Sequence, residues 1–132
     1  MIANLYFIAN HHGIQPFLSQ YEHNESNLII MDETKTQLIR FIQELIPDSK
    51  LFLLPDMEIV QGHYFSWMEL GRRTPKDVVY IAKIRLMAKR IFENISPSAK
   101  AYYYGDHEQV PFYVLLGYLT RKRISVEYID PF

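Results

Sequence analysis

The sequence predicts an α/β fold: a three-layer, Rossmann-like open sheet of about five parallel strands with helices on both faces. Short apolar runs alternate with segments of helical periodicity, and turn residues separate them. Strands that alternate with helices at such short spacing favour right-handed crossovers and therefore a parallel sheet. The 132 residues, 48% of them hydrophobic and 22% charged, correspond to one folded domain.

The first strand and helix follow from residues 2–9, an apolar run that is closed by a polar loop. A short helix should come next, because Pro16 suits the first turn of a helix. Its inward side chains are predicted to be Phe17, Leu18 and Tyr21.

Residues 28–31 and 50–54 are the predicted second and third strands. Between them, Thr34 and Gln37 have the spacing of a capping box, which predicts a helix start. Pro47 should end this helix. Its predicted inward residues are Leu38, Phe41, Ile42 and Leu45.

The aromatic segment 56–73 interrupts the alternation. Tyr64, Phe65 and Trp67 in this segment could pack in the core, rest on a membrane interface, or form a homodimer or partner contact. An exposed Trp67 would be needed for either of the last two roles. The sequence leaves the three roles open.

A long helix is predicted over residues 75–95, with Lys83 and Arg90 opposite its apolar stripe and Pro97 as its end. The stripe consists of Ile81, Ile84, Ala88, Ile91 and Ile95.

The closing part of the chain is predicted to be a strand–helix–strand unit. An aromatic strand stops at Gly105, a helix opens at Pro111, and a β-branched strand ends at Asp130. Ligands of open α/β sheets bind at the carboxyl ends of the strands. Asp106, His107 and Asp130 therefore fall where chemistry is expected.

Composition excludes several classes of protein. The formal net charge of −1 argues against a dedicated nucleic-acid binder, and the lack of cysteine excludes disulfides, thiolate metal sites and a cysteine nucleophile. The amino terminus has no basic flank of a signal peptide, and no apolar stretch has the length of a membrane span. We expect a cytoplasmic protein, peripheral at the inner face of the membrane if the aromatic segment is exposed.

His11, His12 and Gly13 follow the first predicted strand. Neighbouring histidines on an extended loop point apart, which is poor geometry for a metal, so no metal or other cofactor is predicted. His12 and Gly13 stand nearest the next helix start and could contact a substrate or phosphate. A polar loop with no special role is the alternative.

Asp32, Glu33 and Asp56 also follow predicted strands. Asp32 and Glu33 are read first as acidic charges that complement the dipole of the following helix, and Asp56 as a turn residue. A metal-dependent nuclease or phosphatase using Asp32, Asp56 and Asp106 is a further alternative, although their spacing matches no recognised motif.

Gly105, Asp106 and His107 allow two compatible interpretations. Gly105 permits a close turn, and Asp106 or His107 could hold a sugar hydroxyl or act as acid or base. Asp106 could equally cap the following helix. Asp130 could be a general base, or it could form an Asp-Pro turn with Pro131.

Two stretches resemble a known family. The run Asn4-Leu-Tyr-Phe-Ile-Ala9, followed by Gln15 at a helix start, resembles the opening of bacterial lipooligosaccharide sialyltransferases and polysialyltransferases. Tyr103-Tyr104-Gly105-Asp106, a helix, and then a strand ending at Asp130 resemble the later part of the same half-domain. Asp130 matches the first acid of that family's acidic motif, while Pro131 and Phe132 replace its second acid and its glycine.

The resemblance implies the amino-terminal, acceptor-side half of an inverting, metal-independent glycosyltransferase with two Rossmann-like domains, the GT-B architecture. It implies Asp130 as the base that deprotonates a sugar acceptor. His12, Gly13, Gln15, Gly105, Asp106 and His107 would then lie near the acceptor or donor sugar.

A cytidine monophosphate–sugar donor would bind mostly to a second half, which carries the family's His-Pro motif. Residues 1–132 would be one Rossmann-like domain, inactive alone, of a larger protein that makes bacterial surface polysaccharide. The alternative is a small Rossmann-like binding or assembly protein that associates with itself through Tyr64, Phe65 and Trp67.

Overall fold

The computed structural model describes residues 1–22, 26–54, 75–105 and 110–129. The five strands are β1 Ile2–Ile8, β2 Asn27–Asp32, β3 Leu51–Leu54, β4 Ile95–Tyr104 and β5 Val126–Ile129. The α-helices are α1 Ile14–Gln20, α2 Thr36–Leu45, α3 Pro75–Ile91 and α4 Val110–Arg121. Two short 3-10 turns, His11–Gly13 and Phe92–Asn94, precede α1 and β4.

All five strands are parallel and lie in the order β3-β2-β1-β4-β5. The predicted Rossmann-like parallel sheet is therefore confirmed. The central strand β1 pairs with both β2 and β4, so that Leu5 lies between Leu28 and Ala101. The strand order reverses direction at β1, which makes the carboxyl ends of β1 and β4 the topological switch point of the sheet.

Alternating side chains of the strands build a hydrophobic core on each face of the sheet. One core packs α3 and α4 against the sheet, and its largest members include Leu5, Phe7, Tyr103 and Phe112. The other packs α1 and α2 against the sheet, through Phe17, Ile39 and Ile42. The molecule thus has three layers, with helices on both faces.

Three tyrosines line the sheet face that α1 covers. The rings of Tyr6 and Tyr102 stack with centroids 5.5 Å apart, and Tyr104 lies 6.2 Å from Tyr6. The Tyr104 hydroxyl donates to Oε1 of Gln20 at 2.7 Å, which ties the end of β4 to the last turn of α1. Part of the chain's 10 tyrosines and 8 phenylalanines is thus accounted for by the core.

The predicted capping box at the start of α2 is wrong. The helix begins at Thr36 with Lys35 as its N-cap, and no side chain caps it. The Thr34 hydroxyl instead donates to Oδ1 of Asp32 at 2.8 Å. Asp32 lies two residues before Thr34, so its carboxylate competes successfully for the hydroxyl that a capping box would need.

The predicted inward face of α2 is also partly wrong. Ile39 and Ile42 are buried, whereas Phe41 is 42% exposed and Leu45 is 46% exposed. Two apolar stripes run along this helix, and the helix turns the isoleucine stripe toward the sheet. On α1, Leu18 is likewise exposed, while Phe17 is fully buried.

The helix α3 is shorter than predicted, because the chain turns into a 3-10 turn after Ile91 and β4 already starts at Ile95. Pro97 lies within β4 instead of ending a helix. Ile84 and Ala88 are fully buried as predicted. Tyr64, Phe65 and Trp67 lie outside the described residues. None of the described helices combines the length and the hydropathy needed to cross a membrane.

Candidate functional site

The carboxyl ends of β1 and β4 meet through direct backbone packing. The Ala9 amide donates to the Tyr104 carbonyl at 2.9 Å, extending the ladder by one residue. A Cβ at Gly13 would lie 2.7 Å from the backbone carbon, the backbone oxygen and Cβ of Tyr104. Only glycine therefore fits at Gly13, because a backbone neighbour cannot move aside as a side chain can.

At the end of β4, Gly105 is likewise a position where only glycine fits. Its φ of 152° lies in a region that residues with a Cβ rarely adopt, and a Cβ there would lie 2.7 Å from Cβ of Ala9. Gly13 and Gly105 together let the loop after β1 pack against the end of β4. The two glycines that the sequence singled out are thus brought together at the switch point.

The loop after β1 is a 3-10 turn that Asn10 caps. Oδ1 of Asn10 accepts a hydrogen bond from the His12 amide at 3.1 Å. The rings of His11 and His12 lie 3.9 Å apart between centroids, and both residues are exposed. The expectation that these histidines point apart is wrong, because the loop is tightly wound and not extended.

A groove of about 490 Å³ opens between the loop after β1 and the start of α2. Ile14, Leu38 and Phe41 form its apolar side. The polar lining consists of Asn10, His11, Thr34, Lys35, Thr36 and Gln37. A volume of this size with a mixed lining is typical of a small-molecule site.

The polar wall of the groove is held by the turn between β2 and α2. Oδ1 of Asp32 accepts hydrogen bonds from both the amide and the hydroxyl of Thr34, and the Asp32 carbonyl accepts from the Lys35 amide. Lys35 is half-buried, so its aliphatic stem is partly covered. Asp32 thus supports the groove from outside its lining, and its carboxylate is engaged in a turn.

Tyr104 lies beneath the switch point as a fully buried polar group. Burial raises the pKa of its hydroxyl far above the usual range, and the neighbouring Tyr6, Tyr102 and Glu127 add to the shift. The hydroxyl is therefore neutral at any ordinary pH and acts as a hydrogen-bond donor to Gln20. This role is structural.

The fold brings some of the sequence-predicted residues together. His12 and Gly13 follow β1, Gly105 follows β4, and Gly13 lies close to Tyr104 while Gly105 lies close to Ala9. Gln15 is exposed in the first turn of α1. Asp106, His107 and Asp130 lie outside the described residues. The strand that leads to Asp130 is β5, whose Ile129 is in register with Tyr104.

Sequence reasoning missed the lining of the groove. It named neither Asn10 nor Lys35 as a candidate, and it read Thr34 and Gln37 only as helix caps. The pairing of β1 with β2 brings the two loops together. In a parallel sheet, the loops after two paired strands lie side by side. The predicted order of strands and helices could therefore have indicated that these two loops line one groove.

Metal chemistry finds no support in the part of the chain that the structure describes, where no three His, Asp or Glu side chains gather in a metal-binding arrangement. Of the three acids considered for a nuclease or phosphatase, Asp32 holds a turn, and Asp56 and Asp106 lie outside the described residues.

Comparisons with known protein families, with curated proteins and with solved structures found no match to this chain.

Proposed function

We propose that this chain is the acceptor-side domain of an inverting, metal-independent glycosyltransferase of the sialyltransferase-like type. The observation that carries the proposal is the groove at the carboxyl edge of the sheet, with an apolar wall facing a polar one. A sugar ring has an apolar face of C–H groups and a rim of hydroxyls, so it suits such a lining. The likeness of the sequence to bacterial lipooligosaccharide sialyltransferases supplies the reaction.

Each wall of the groove would serve one part of the sugar. Phe41 is 42% exposed and would lie against the apolar face of the ring. Asn10 and Gln37 offer both donors and acceptors to the hydroxyls. Lys35 and His11 would meet an acidic group of a sialylated or phosphorylated acceptor.

The proposed base Asp130 would stand apart from this groove. The groove opens at β1 and β2, whereas Asp130 follows β5, and β4 lies between β1 and β5. Between two and three strand spacings, or about 12 Å, separate the groove from the carboxyl end of β5 along the edge of the sheet. The groove would then hold a sugar unit remote from the attacking hydroxyl, and the acceptor would be an oligosaccharide.

The nucleotide of the donor would bind elsewhere in this scheme. The family likeness assigns the cytidine monophosphate–sugar mainly to a second Rossmann-like half. Gln15, His12, Gly105 and the following Asp106 and His107 would meet only the sugar end of the donor or the acceptor. Titration of this chain with cytidine monophosphate should therefore give weak binding or none, and tight binding would contradict the division of roles.

Acceptor binding can be tested by saturation-transfer NMR on residues 1–132 with lipooligosaccharide glycans and short oligosialic acids. We expect transfer to these glycans and its loss in Phe41→Ser and in Lys35→Gln. The matched controls are Leu45→Ser and Lys50→Gln. Leu45 is as exposed as Phe41 on the same helix, and neither control residue lines the groove.

Equal loss in the variants and their controls, or no transfer to any glycan, would count against the groove as the acceptor site. The catalytic part of the proposal needs a separate test. In an enzyme that joins this domain to a donor-binding half, Asp130→Asn should abolish sugar transfer and leave the thermal unfolding midpoint unchanged. Retained turnover would remove Asp130 from the mechanism.

Self-association is a second candidate function, and the exposed apolar stripe on α2 favours it. Phe41 and Leu45 expose 42% and 46% of their surface, one turn apart along the helix, and Leu38 extends the stripe. A binding or assembly protein would bury such a stripe in a dimer. Sedimentation velocity distinguishes the two functions: a dimer that the Phe41→Ser/Leu45→Ser variant dissociates would favour assembly, and a monomer would not.

A further inference from the structure

The two helical layers of the molecule differ strongly in charge. Residues 82–94 and 112–123 are part of the α3/α4 layer. Among their described side chains, the charged groups are seven cations and the carboxylate of Glu93. The cations are Lys83, Arg85, Lys89, Arg90, Arg121, Lys122 and Arg123, and all seven are exposed. They are half of the 14 lysines and arginines in the whole chain.

The opposite layer has no such excess. Residues 14–22 and 33–50, which contain α1 and α2, carry the acids Glu22, Glu33, Glu44 and Asp48 against three cations. The formal net charge of −1 for the chain therefore conceals one strongly basic face. Basic residues near a helix C-terminus often complement the helix dipole. That effect explains Lys89, Arg90 and Arg121 but not Lys83 or Arg85, which lie further from the C-terminus of α3.

The fold joins two basic clusters that lie far apart in the sequence. The Nζ of Lys122 lies 5.6 Å from the centroid of the Tyr118 ring, and that ring lies 5.6 Å from the ring of Phe92. Phe92 directly follows α3, so the C-terminal ends of α3 and α4, which both carry cations, are neighbours. We call the seven cations together with Leu86 the basic face.

The second observation is the exposure of Leu86, which is 60% exposed among these cations. Lys83, Lys89 and Arg90 lie three or four positions away on the same helix and so surround it on the helix surface. The buried side of α3 is formed by Ile84 and Ala88, which leaves the leucine pointing away from the core. An exposed leucine flanked by lysines and arginines can enter a membrane interface while the cations meet the headgroups.

We propose that the basic face docks the protein on an anionic phospholipid surface, with Leu86 entering the boundary between headgroups and acyl chains. Charge complementarity supplies the attraction, since cations near a negatively charged leaflet bind it additively. A nucleic acid would satisfy the cations but would give no role to an exposed leucine. This docking is independent of the proposed glycosyltransferase activity, and it uses a different surface from the aromatic segment with Trp67.

The experiment is co-sedimentation of residues 1–132 with vesicles of phosphatidylglycerol and phosphatidylcholine, compared with vesicles of phosphatidylcholine alone. We expect binding to the anionic vesicles, and we expect Lys83→Gln/Lys89→Gln/Arg90→Gln to weaken it about 100-fold, which is roughly fivefold per cation. The matched control is Lys35→Gln/Arg40→Gln/Lys50→Gln, which removes three cations from the opposite layer and should leave binding unchanged. Circular dichroism checks that both triple variants are folded.

Leu86→Ser separates lipid docking from general attraction to polyanions. It should weaken vesicle binding about fivefold, because a leucine transfers favourably out of water. Its affinity should fall with salt by the same factor as that of the unaltered protein, because all seven cations remain. Equal effects of the two triple variants, equal binding to both kinds of vesicle, or an unchanged affinity of Leu86→Ser would each overturn the proposal. Tighter binding to duplex DNA than to vesicles would assign the basic face to nucleic acid instead.

Discussion

The two sides of the carboxyl end of β1 are built differently. Toward β4, Gly13 and Gly105 allow one loop to pack directly on the backbone of the other. Toward β2, the side chains of Asn10 and Lys35 stand apart and leave a groove of about 490 Å³. The topological switch point of the sheet is thus closely packed, and the open volume lies one strand further along.

The difference shows what makes space at the edge of a parallel sheet. After β1, a glycine and a 3-10 turn carry the chain back over the sheet within a few residues. After β2, the turn held by Asp32 occupies residues 33–35, and α2 begins at Thr36. Residues 33–35 contain no glycine, and the side chains of Thr34 and Lys35 line the groove that separates this turn from the loop after β1.

The largest change in stability is expected from substitutions of the two glycines. Gly13→Ala and Gly105→Ala should each lower the free energy of unfolding by about 3 kcal/mol, because the added Cβ meets backbone or Cβ atoms at close range. The measurement is urea denaturation followed by circular dichroism. Gly117→Ala is the matched control: a Cβ at this exposed position of α4 meets nothing within 4 Å. There the change should raise stability by about 0.5–1 kcal/mol.

The turn before α2 comes next in expected size. Asp32→Ala removes the acceptor of two hydrogen bonds from Thr34 and should lower the free energy of unfolding by about 1.5 kcal/mol. It should also disturb the groove, visible as amide shifts of Thr34 and Lys35 in NMR spectra. Asp48→Ala, an exposed acid at the far end of α2, should change neither quantity. If the NMR signals of the Thr34 and Lys35 amides do not shift in Asp32→Ala, the polar wall of the groove is held by α2 alone.

Tyr104 gives a test that depends on pH. At neutral pH, Tyr104→Phe should cost about 1 kcal/mol for the lost hydrogen bond to Gln20. The pKa of the Tyr104 hydroxyl is raised in the folded state, whereas an unfolded tyrosine titrates near pH 10. Stability from this residue is therefore intact below about pH 10 and is lost as the pH rises further.

Above that pH the free energy of unfolding should fall less in the Tyr104→Phe variant than in the unaltered protein. The difference in this free energy between the two proteins should therefore narrow. Denaturation curves recorded at neutral pH and at about pH 11 would measure it. A difference that stays constant across this range would mean that the hydroxyl titrates normally.

The smallest effect is expected at Asn10, which is close both to the groove and to Gly105. It lines the groove, and its Nδ2 would lie 3.4 Å from a Cβ placed at Gly105. Asn10→Ala should lower the free energy of unfolding by about 0.5–1 kcal/mol through the loss of the cap on the His12 amide. Asn10→Asp keeps the acceptor and should restore most of the stability. An alanine variant as stable as the unaltered protein would show that the turn holds without its cap.

The fold was predictable because its signals are local and repeated. Each apolar run between turn residues became a strand, and parallel order followed from the short helical crossovers. The inward face of α2 was not predictable in the same way. The stripe of Leu38, Phe41 and Leu45 and the stripe of Ile39, Ile42 and Ile46 have the same spacing, and only the position of the helix over the sheet decides between them.

The site was predictable in part. The rule that ligands collect at carboxyl ends of strands points to His12, Gly13 and Gly105, which the fold places where β1 and β4 end. The same rule does not predict that the chain packs closely at Gly13 and Gly105. That packing depends on the register of β1 with β4. The roles assigned to Asp106, His107 and Asp130 remain predictions.

The central position of β1 has a consequence for how the molecule is made. Its first neighbour β2 follows within a few dozen residues, but its second neighbour pairs Leu5 with Ala101, near the end of the chain. During synthesis the amino-terminal β1–α1–β2 unit can assemble on the ribosome, while the other edge of β1 stays unpaired until β4 emerges. An open apolar edge invites wrong pairing between nascent chains. Slow translation before β4 would therefore lower the yield of this protein more than the same delay after it.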